Sequence, residues 1–386
     1  MIRNVAVVGY KQTVHTAASE VSRERMVYEL VKSFYQEMGI TKDDIDTFVM
    51  CTNDFQEGRT ISEVYMVPRI GAYMKDETKV DSDGINAVFY GLMRILSGNY
   101  ETALIVGYGM GGSEFPGPMI FNHMLDPIYE RQLGLVNEIS AAALQANAYM
   151  RKYRLTELHL AKIAAKNVRN ASRNPYAVRR IDGISADDVL SSRLLYSPLR
   201  ELHMYPPTDG ACVLMLASEE KARQLTDTPV WILGAANCQE TYYLGERDLT
   251  LPVSLKLAAK QAYKMAKIRK PSEQIDLAEL HTNFASQEPI FAEALGLYPR
   301  GSGGSVIEKG ESEVTGKIPL NPSGGPLGAN PFTACGIIRI AEACAQLRGE
   351  AGANQVKDAR IAVAHGYVGI CAQHNTVFVL GTSPVS

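Results

Sequence analysis

With 386 residues, 46 % of them hydrophobic and 21 % charged, the chain is long enough for two or three domains with cores of their own. Its formal net charge of −3 offers no electrostatic case for nucleic acid or for an anionic membrane surface. No apolar run approaches the ~18 residues that a membrane span requires, and Met1-Ile2-Arg3-Asn4 leads at once into a strand pattern without a signal-peptide core, which points to a cytoplasmic protein.

Apolar runs alternate with amphipathic stretches along the chain. Residues 5–9 read as a buried strand, 20–38 as a helix, 47–50 as a strand, 86–96 as a helix and 102–107 as a buried strand. From 111 to 132 the composition changes to Gly, Pro, Met and aromatics, and two helical patterns follow, near 140–153 and 158–173. Loops this long in a compact fold are usually functional or interfacial. Residues 112–200 therefore read as an excursion that covers a site before the first half resumes with a strand at 211–217. The second half repeats the alternation, with strand 230–235, helix 255–266, strand 277–280, helices 286–297 and 332–347, and strands 361–364 and 376–380. The pattern is layered α/β in two similar halves, 1–225 and 226–386.

The cysteines, Cys51, Cys212, Cys238, Cys335, Cys344 and Cys371, show neither CxxC nor metal spacing and sit among apolar or small residues. They read as reduced core residues, with no metal expected. Cys371 stands apart because it lies in a Gly-rich C-terminal stretch.

Residues 321–336, NPSGGPLGANPFTACG, carry four glycines and three prolines ahead of an amphipathic helix, which marks a tight turn and a close backbone approach. The run resembles the "NxxGG...GHPxGATG" segment of thiolases, with Asn330 where the family has its catalytic histidine. Other segments resemble sterol-carrier-type thiolases in the same order: the opening VAVVGYKQT, KNVRNASRNPYA from Lys166, PLRELHMYPPTDGACVLMLAS from Pro198, and LAELHTNFASQEPIFAEALGL from Leu277. The resemblance covers nearly the whole chain. It implies the thiolase fold, two α/β halves in a five-layered αβαβα core with an inserted loop region.

The chemistry departs from that family. A thiolase cysteine opens a buried helix in "CxSGxxA", where backbone N–H groups and the helix dipole stabilise the thiolate. The matching segment here runs from Asp81 to Ala87 and places Asp81 at the nucleophile position. Asn330 can donate a hydrogen bond but does not shuttle protons near neutral pH. In the segment matching the "CxG" loop, residues 365–374, ungapped counting puts Gly369 at the acid/base cysteine, and only a two-residue shift would bring Cys371 there. His281, in HTNF, stands at the oxyanion position, while His203, His365 and His374 have readings at least as good in the core. Tyr367, flanked by glycine, is a candidate general acid or base if its neighbours lower its pKa, with Asp81 as its rival. The resemblance further implies that Ser323, Gly324, Gly325 and Gly369 lie against a coenzyme A thioester.

Steroid side-chain aldolases and the benzoylsuccinyl-CoA thiolases of anaerobic toluene breakdown resemble this chain in having left cysteine chemistry. They work with a small subunit carrying an OB fold and a zinc ribbon, so such a separate subunit is implied, with residues 111–124 as a contact surface or lid. The family also implies a homodimer through the first half. Three functions stay open: catabolic β-oxidation-type C–C cleavage of a bulky β-keto- or β-hydroxyacyl-CoA, by thiolysis or retro-aldol reaction; a biosynthetic acyltransferase or condensing subunit; and a non-catalytic acyl-CoA-binding scaffold.

Overall fold

In the computed structural model, residues 3–81, 83–113 and 125–385 are described. The first half contributes β1 (Val5–Gln12), β2 (Thr47–Cys51), β3 (Asp76–Val80), β4 (Thr102–Met110) and β5 (Asp209–Ser218), in the spatial order β3-β2-β4-β5-β1. β2 runs parallel to β3 and β4, whereas β5 runs antiparallel to β4 and β1. The second half contributes β6 (Val230–Gln239), β7 (Leu277–Leu280), β8 (Ile361–Val368) and β9 (His374–Gly381), in the order β6-β9-β8-β7 with the same directions. A parallel bridge from Ala278 to Leu320 stands outside β7, where the first half has β3. The halves are thus two copies of one topology, and they join where Ala6 and Val7 of β1 pair with Trp231 and Val230 of β6.

Five layers follow from where the apolar helix faces are spent. Helix α1 (Arg23–Met38) covers the outer face of the first half. Two further helices, α2 (Gly84–Leu96) and α8 (Cys335–Arg348), lie between the halves and touch strands of both; α6 (Val253–Met265) covers the outer face of the second. Both central helices are buried along most of their length, which matches their small and aliphatic sequences. Between β4 and β5 the chain inserts α3 (Glu138–Tyr153), α4 (Glu157–Ser172) and α5 (Ala186–Ser191); α7 (Gln287–Ala294) follows β7.

Three elements differ from the sequence expectation. β3, with the sequence DETKV, has no apolar alternation to announce it, because it is an edge strand paired only to β2 and partly exposed. The helix expected over 332–347 begins as a 3₁₀ turn, Phe332–Ala334, after Pro331, and becomes α-helical only at Cys335. β8 continues to Val368, pairing Tyr367 with Asn375, so Tyr367 sits on a strand and the loop shrinks to five residues. Most of the proposed contact surface at 111–124 lies outside the described residues. No helix among the described residues is long and apolar enough to cross a membrane.

Candidate functional site

The site forms where the N-termini of α2 and α8 meet. Asp83 is the N-cap of α2, and its Oδ1 accepts from the N–H of Ile85 at 3.0 Å. Its Oδ2 accepts from the N–H of Gly336, in the first turn of α8, at 3.2 Å. Glycine is required at this crossing: a Cβ on Gly336 would fall 1.8 Å from Asp83 Oδ1, and one on Gly84 would fall 2.5 Å from Ile337. Two helix N-termini, each with partial positive charge, therefore share one carboxylate.

His281 follows β7, and its backbone N–H donates to His365 O at 3.1 Å, continuing the parallel ladder. Its Nδ1 lies 3.2 Å from Asp83 Oδ2, an ion pair somewhat off the line of a straight hydrogen bond. Its Nε2 lies 3.0 Å from Asn283 Oδ1. Both ring nitrogens thus face acceptors, the arrangement of an imidazolium. Burial opposes that charge, but Cys335, packed against the ring, and Asp83 outweigh it and raise the pKa to about 10.

Asn330 donates its Nδ2 to the same Asn283 Oδ1 at 2.8 Å. The Nδ2 of Asn283 in turn donates to Glu138 Oε1 at 2.9 Å, and Tyr205 donates its hydroxyl to Glu138 Oε2 at 3.3 Å. Glu138 opens α3, from the inserted region, and its burial raises its pKa although Asn283 and Tyr205 pull the other way. The Tyr367 ring lies tilted beside His281, centroids 4.8 Å apart, and its hydroxyl donates to Gln287 Oε1 at 3.3 Å. His281, Asn283, Asn330, Glu138 and Tyr367 line a cavity of about 120 Å³ together with Asp81, Asp83 and Gly369.

Several sequence expectations change here. Asp81 does not open the central helix: α2 starts at Gly84, and the capping carboxylate is that of Asp83, two residues on. Asp81 is exposed at the cavity rim, where its Oδ1 accepts from Asn53 Nδ2 at 2.6 Å and partial burial raises its pKa. Tyr367 has its pKa raised, by burial first and by nearby Glu138, the reverse of the lowering a tyrosine base requires. Ser323, Gly324 and Gly325 do not line this cavity. Ser323 is bound by Glu279 and Arg339, a Cβ on Gly324 would fall 2.6 Å from Ala171 N in α4, and one on Gly325 would fall 2.7 Å from Asn321 Nδ2. Of the three, Gly324 is the one packed against an inserted helix, at Ala171.

Cys371 is packed away from the cavity among Leu125, Leu244 and Ile370, and burial pushes its thiol up to about 12. Cys335 is fully buried behind His281. His365 and His203 are core histidines held neutral by burial, at about 3 and about 4; His374 is half-buried with a lowered pKa. Among the described residues no cluster of three or more His, Cys, Asp or Glu is arranged to hold a metal ion. Sequence reading missed Asp83, Asn283 and Glu138. An Asp directly before a Gly-led helical run is an N-cap signal that could have found the first; nothing local marks Glu138, which meets Asn283 only through the fold.

A family profile described as "Thiolase C-terminal domain-like" matches residues 235–382. An acetyl-CoA acetyltransferase of Methanothermobacter thermautotrophicus is 33 % identical over 95 % of this chain and 97 % of its own length. Sterol carrier protein 2 of Oryctolagus cuniculus is 35 % identical over 74 % of this chain, which spans about half (54 %) of that longer protein. Among solved structures, the Ltp2-ChsH2(DUF35) aldolase superposes with a TM-score of 0.85 at 24 % identity, covering 98 % of each chain. A monomeric SCP2-thiolase like protein type 1 from Mycobacterium smegmatis superposes at 0.74 with 19 % identity, covering all of this chain and 79 % of its own. With its repeated halves, its paired central helices and a relative of this identity along nearly its whole length, the chain belongs to the thiolase superfamily, as a sterol-carrier-type member.

Proposed function

We propose that this chain is the thiolase-like subunit of an enzyme that cleaves a C–C bond of a bulky β-keto- or β-hydroxyacyl-CoA without forming an acyl-cysteine. One observation carries the reading: the N–H donors of His281 and Asn330 converge on a single oxygen position in a cavity whose described lining contains no thiol. A thioester oxygen at that position would meet a cationic donor and an amide donor as it gains charge, the interaction that usually dominates catalysis of this kind.

The same oxyanion site serves two cleavages. In a retro-aldol reaction a base takes the proton of the β-hydroxyl, the Cα–Cβ bond breaks, and a carbonyl product leaves an acyl-CoA enolate. In direct thiolysis the base takes the proton of the free CoA thiol, the thiolate adds to the β-carbonyl, and the same bond breaks to give a second thioester and the enolate. Either enolate then takes a proton at Cα. Glu138 and Asp81, both with raised pKa, suit the base. Tyr367, kept protonated, suits the donor to carbon, its proton being restored from the carboxylic acid.

The fold supports a partner as well, by analogy: the Ltp2-ChsH2(DUF35) aldolase is, as its name says, a two-component assembly on this scaffold. A separate small subunit of OB-fold and zinc-ribbon type, and a homodimer paired through edge strand β3, complete the proposal. The test is the purified chain, alone and with such a subunit, supplied with β-hydroxyacyl-CoA and β-ketoacyl-CoA in the presence and absence of free CoA. Cleavage of the hydroxy substrate without CoA identifies an aldolase, and CoA-dependent cleavage of the keto substrate identifies thiolysis. Binding without turnover of either would replace the enzyme with a scaffold.

A further inference from the structure

We propose that the side chain of Asn283 is a plug in the oxyanion site, which the acyl oxygen displaces as negative charge develops on it. The inference rests on the acyl-CoA reading above and deepens it by assigning a residue to the free state of the site. His281 Nε2 and Asn330 Nδ2 come from separate segments, yet they meet at one atom, Asn283 Oδ1, at 3.0 and 2.8 Å. Two N–H groups converging on one oxygen are the geometry of an oxyanion hole, and a neutral amide oxygen fills it here.

The orientation of that amide is set from its far side. Glu138 Oε1 holds Asn283 Nδ2 at 2.9 Å, which leaves the amide oxygen to face the two donors. The backbone carbonyl of Asn283 is anchored separately, accepting from Tyr205 N at 2.9 Å, so the side chain can turn without loss of backbone pairing. Asn283 lines the cavity, and the neighbouring Asn330 leaves its Oδ1, in a residue 1 % exposed, without a partner among the described residues.

The exchange has a direction. A neutral amide oxygen accepts more weakly than an enolate, because hydrogen bonds with an ionised partner are about twice as strong as neutral ones. The neutral thioester of the bound substrate gains little by replacing the amide, whereas the developing enolate gains much. Asn283 therefore lowers ground-state affinity while leaving the site open to the charged state, which separates binding from rate.

Two measurements test this, with acetoacetyl-CoA as the probe and free CoA as its control. By titration calorimetry Asn283→Ala should bind the probe about tenfold more tightly than the native chain, the worth of removing an internal competitor for one or two hydrogen bonds. Asn283→Asp, which sets a permanent carboxylate between the donors, should bind it more weakly than the native chain. Equal or weaker binding by Asn283→Ala overturns the plug. A crystal structure of Asn283→Ala gives the second readout, independent of any substrate: His281 and Asn330 should stay in place with a water within hydrogen-bonding distance of both. If the two side chains move apart, Asn283 was holding them and the proposal is wrong. If no chain binds the probe, the acyl-CoA reading fails and the crystal structure alone decides the plug.

Discussion

Asp83 Oδ2 lies 3.2 Å from His281 Nδ1, and the carboxylate that makes this ion pair also accepts from the N–H groups of Ile85 and Gly336. One side chain thereby ties both central helices to the imidazole of the cavity. The imidazole, beside Cys335 at the start of α8 and beside this carboxylate, is stabilised as a cation against the cost of burial. The charge state of His281 is thus a property of the helix crossing.

That charge state gives the first prediction. With a folded-state pKa of about 10 against an unfolded value near 6.5, protonated His281 contributes stability that is fully present below pH ~6.5 and is lost as the pH rises through 10. In NMR spectra the His281 ring should remain doubly protonated at pH 8, and thermal stability should decline from pH 7 toward pH 10. Asp83→Asn should lower the ring's titration and make that decline shallower, with Cys335 sustaining the rest of the shift. A native His281 that titrates near pH 6.5 refutes the pairing.

Replacing His281 by alanine should lower turnover by roughly 100-fold, the usual cost of one oxyanion donor. Circular dichroism and the unfolding midpoint would establish that the fold survives. A variant with nearly native turnover would leave His281 as a packing residue that the Asp83 charge happens to ionise.

Glu138 and Tyr367 should separate by their pH profiles. Glu138→Gln keeps the size of the side chain and a hydrogen-bonding partner for Asn283, but removes the base, so the low-pH limb of kcat should disappear along with most of the rate. Tyr367→Phe removes only the hydroxyl that reaches Gln287; it should depress kcat at every pH and leave acyl-CoA binding intact. If Glu138→Gln retains full rate while Asp81→Asn abolishes it, the base is the rim carboxylate.

No acyl-enzyme should accumulate. Cys371 has its thiol raised to about 12 by burial, and Cys335 is fully enclosed behind His281. Intact mass spectrometry after incubation with acetoacetyl-CoA should show an unmodified chain, and an adduct on either cysteine would restore a ping-pong mechanism.

Gly336→Ala tests the crossing itself. Its Cβ would fall 1.8 Å from Asp83 Oδ1 and 2.5 Å from Ile85 N, so the helices must separate. We expect a loss of about 1–3 kcal/mol in denaturant unfolding, or failure to fold. A variant of native stability would show that α2 and α8 are not in backbone contact.

The layered class, the order of elements and the buried central strands were legible in the sequence, because burial on both faces leaves runs such as VAVV and TALIVG that have no other stable use. The residue types at the counted positions, such as Asn330, were legible too, since they need no tertiary information. The polar edge strand β3 was invisible, as its stability comes from pairing with β2 and not from its own side chains. The hydrogen-bond network that reaches His281 through Asn283 was likewise invisible. Glu138, Asn283 and Asn330 lie on three segments that only the folding of the inserted region onto the second half brings together, and hydrogen bonds between distant segments leave no periodic trace. Which aspartate caps α2 depended on the turn of backbone that starts the helix. The NPSGG run shows the converse: its glycines signal a close approach, and only the structure reveals that the neighbour of Gly324 is Ala171 of the inserted helix and that of Gly325 is Asn321. A glycine records that space is missing, and the tertiary fold decides what fills it.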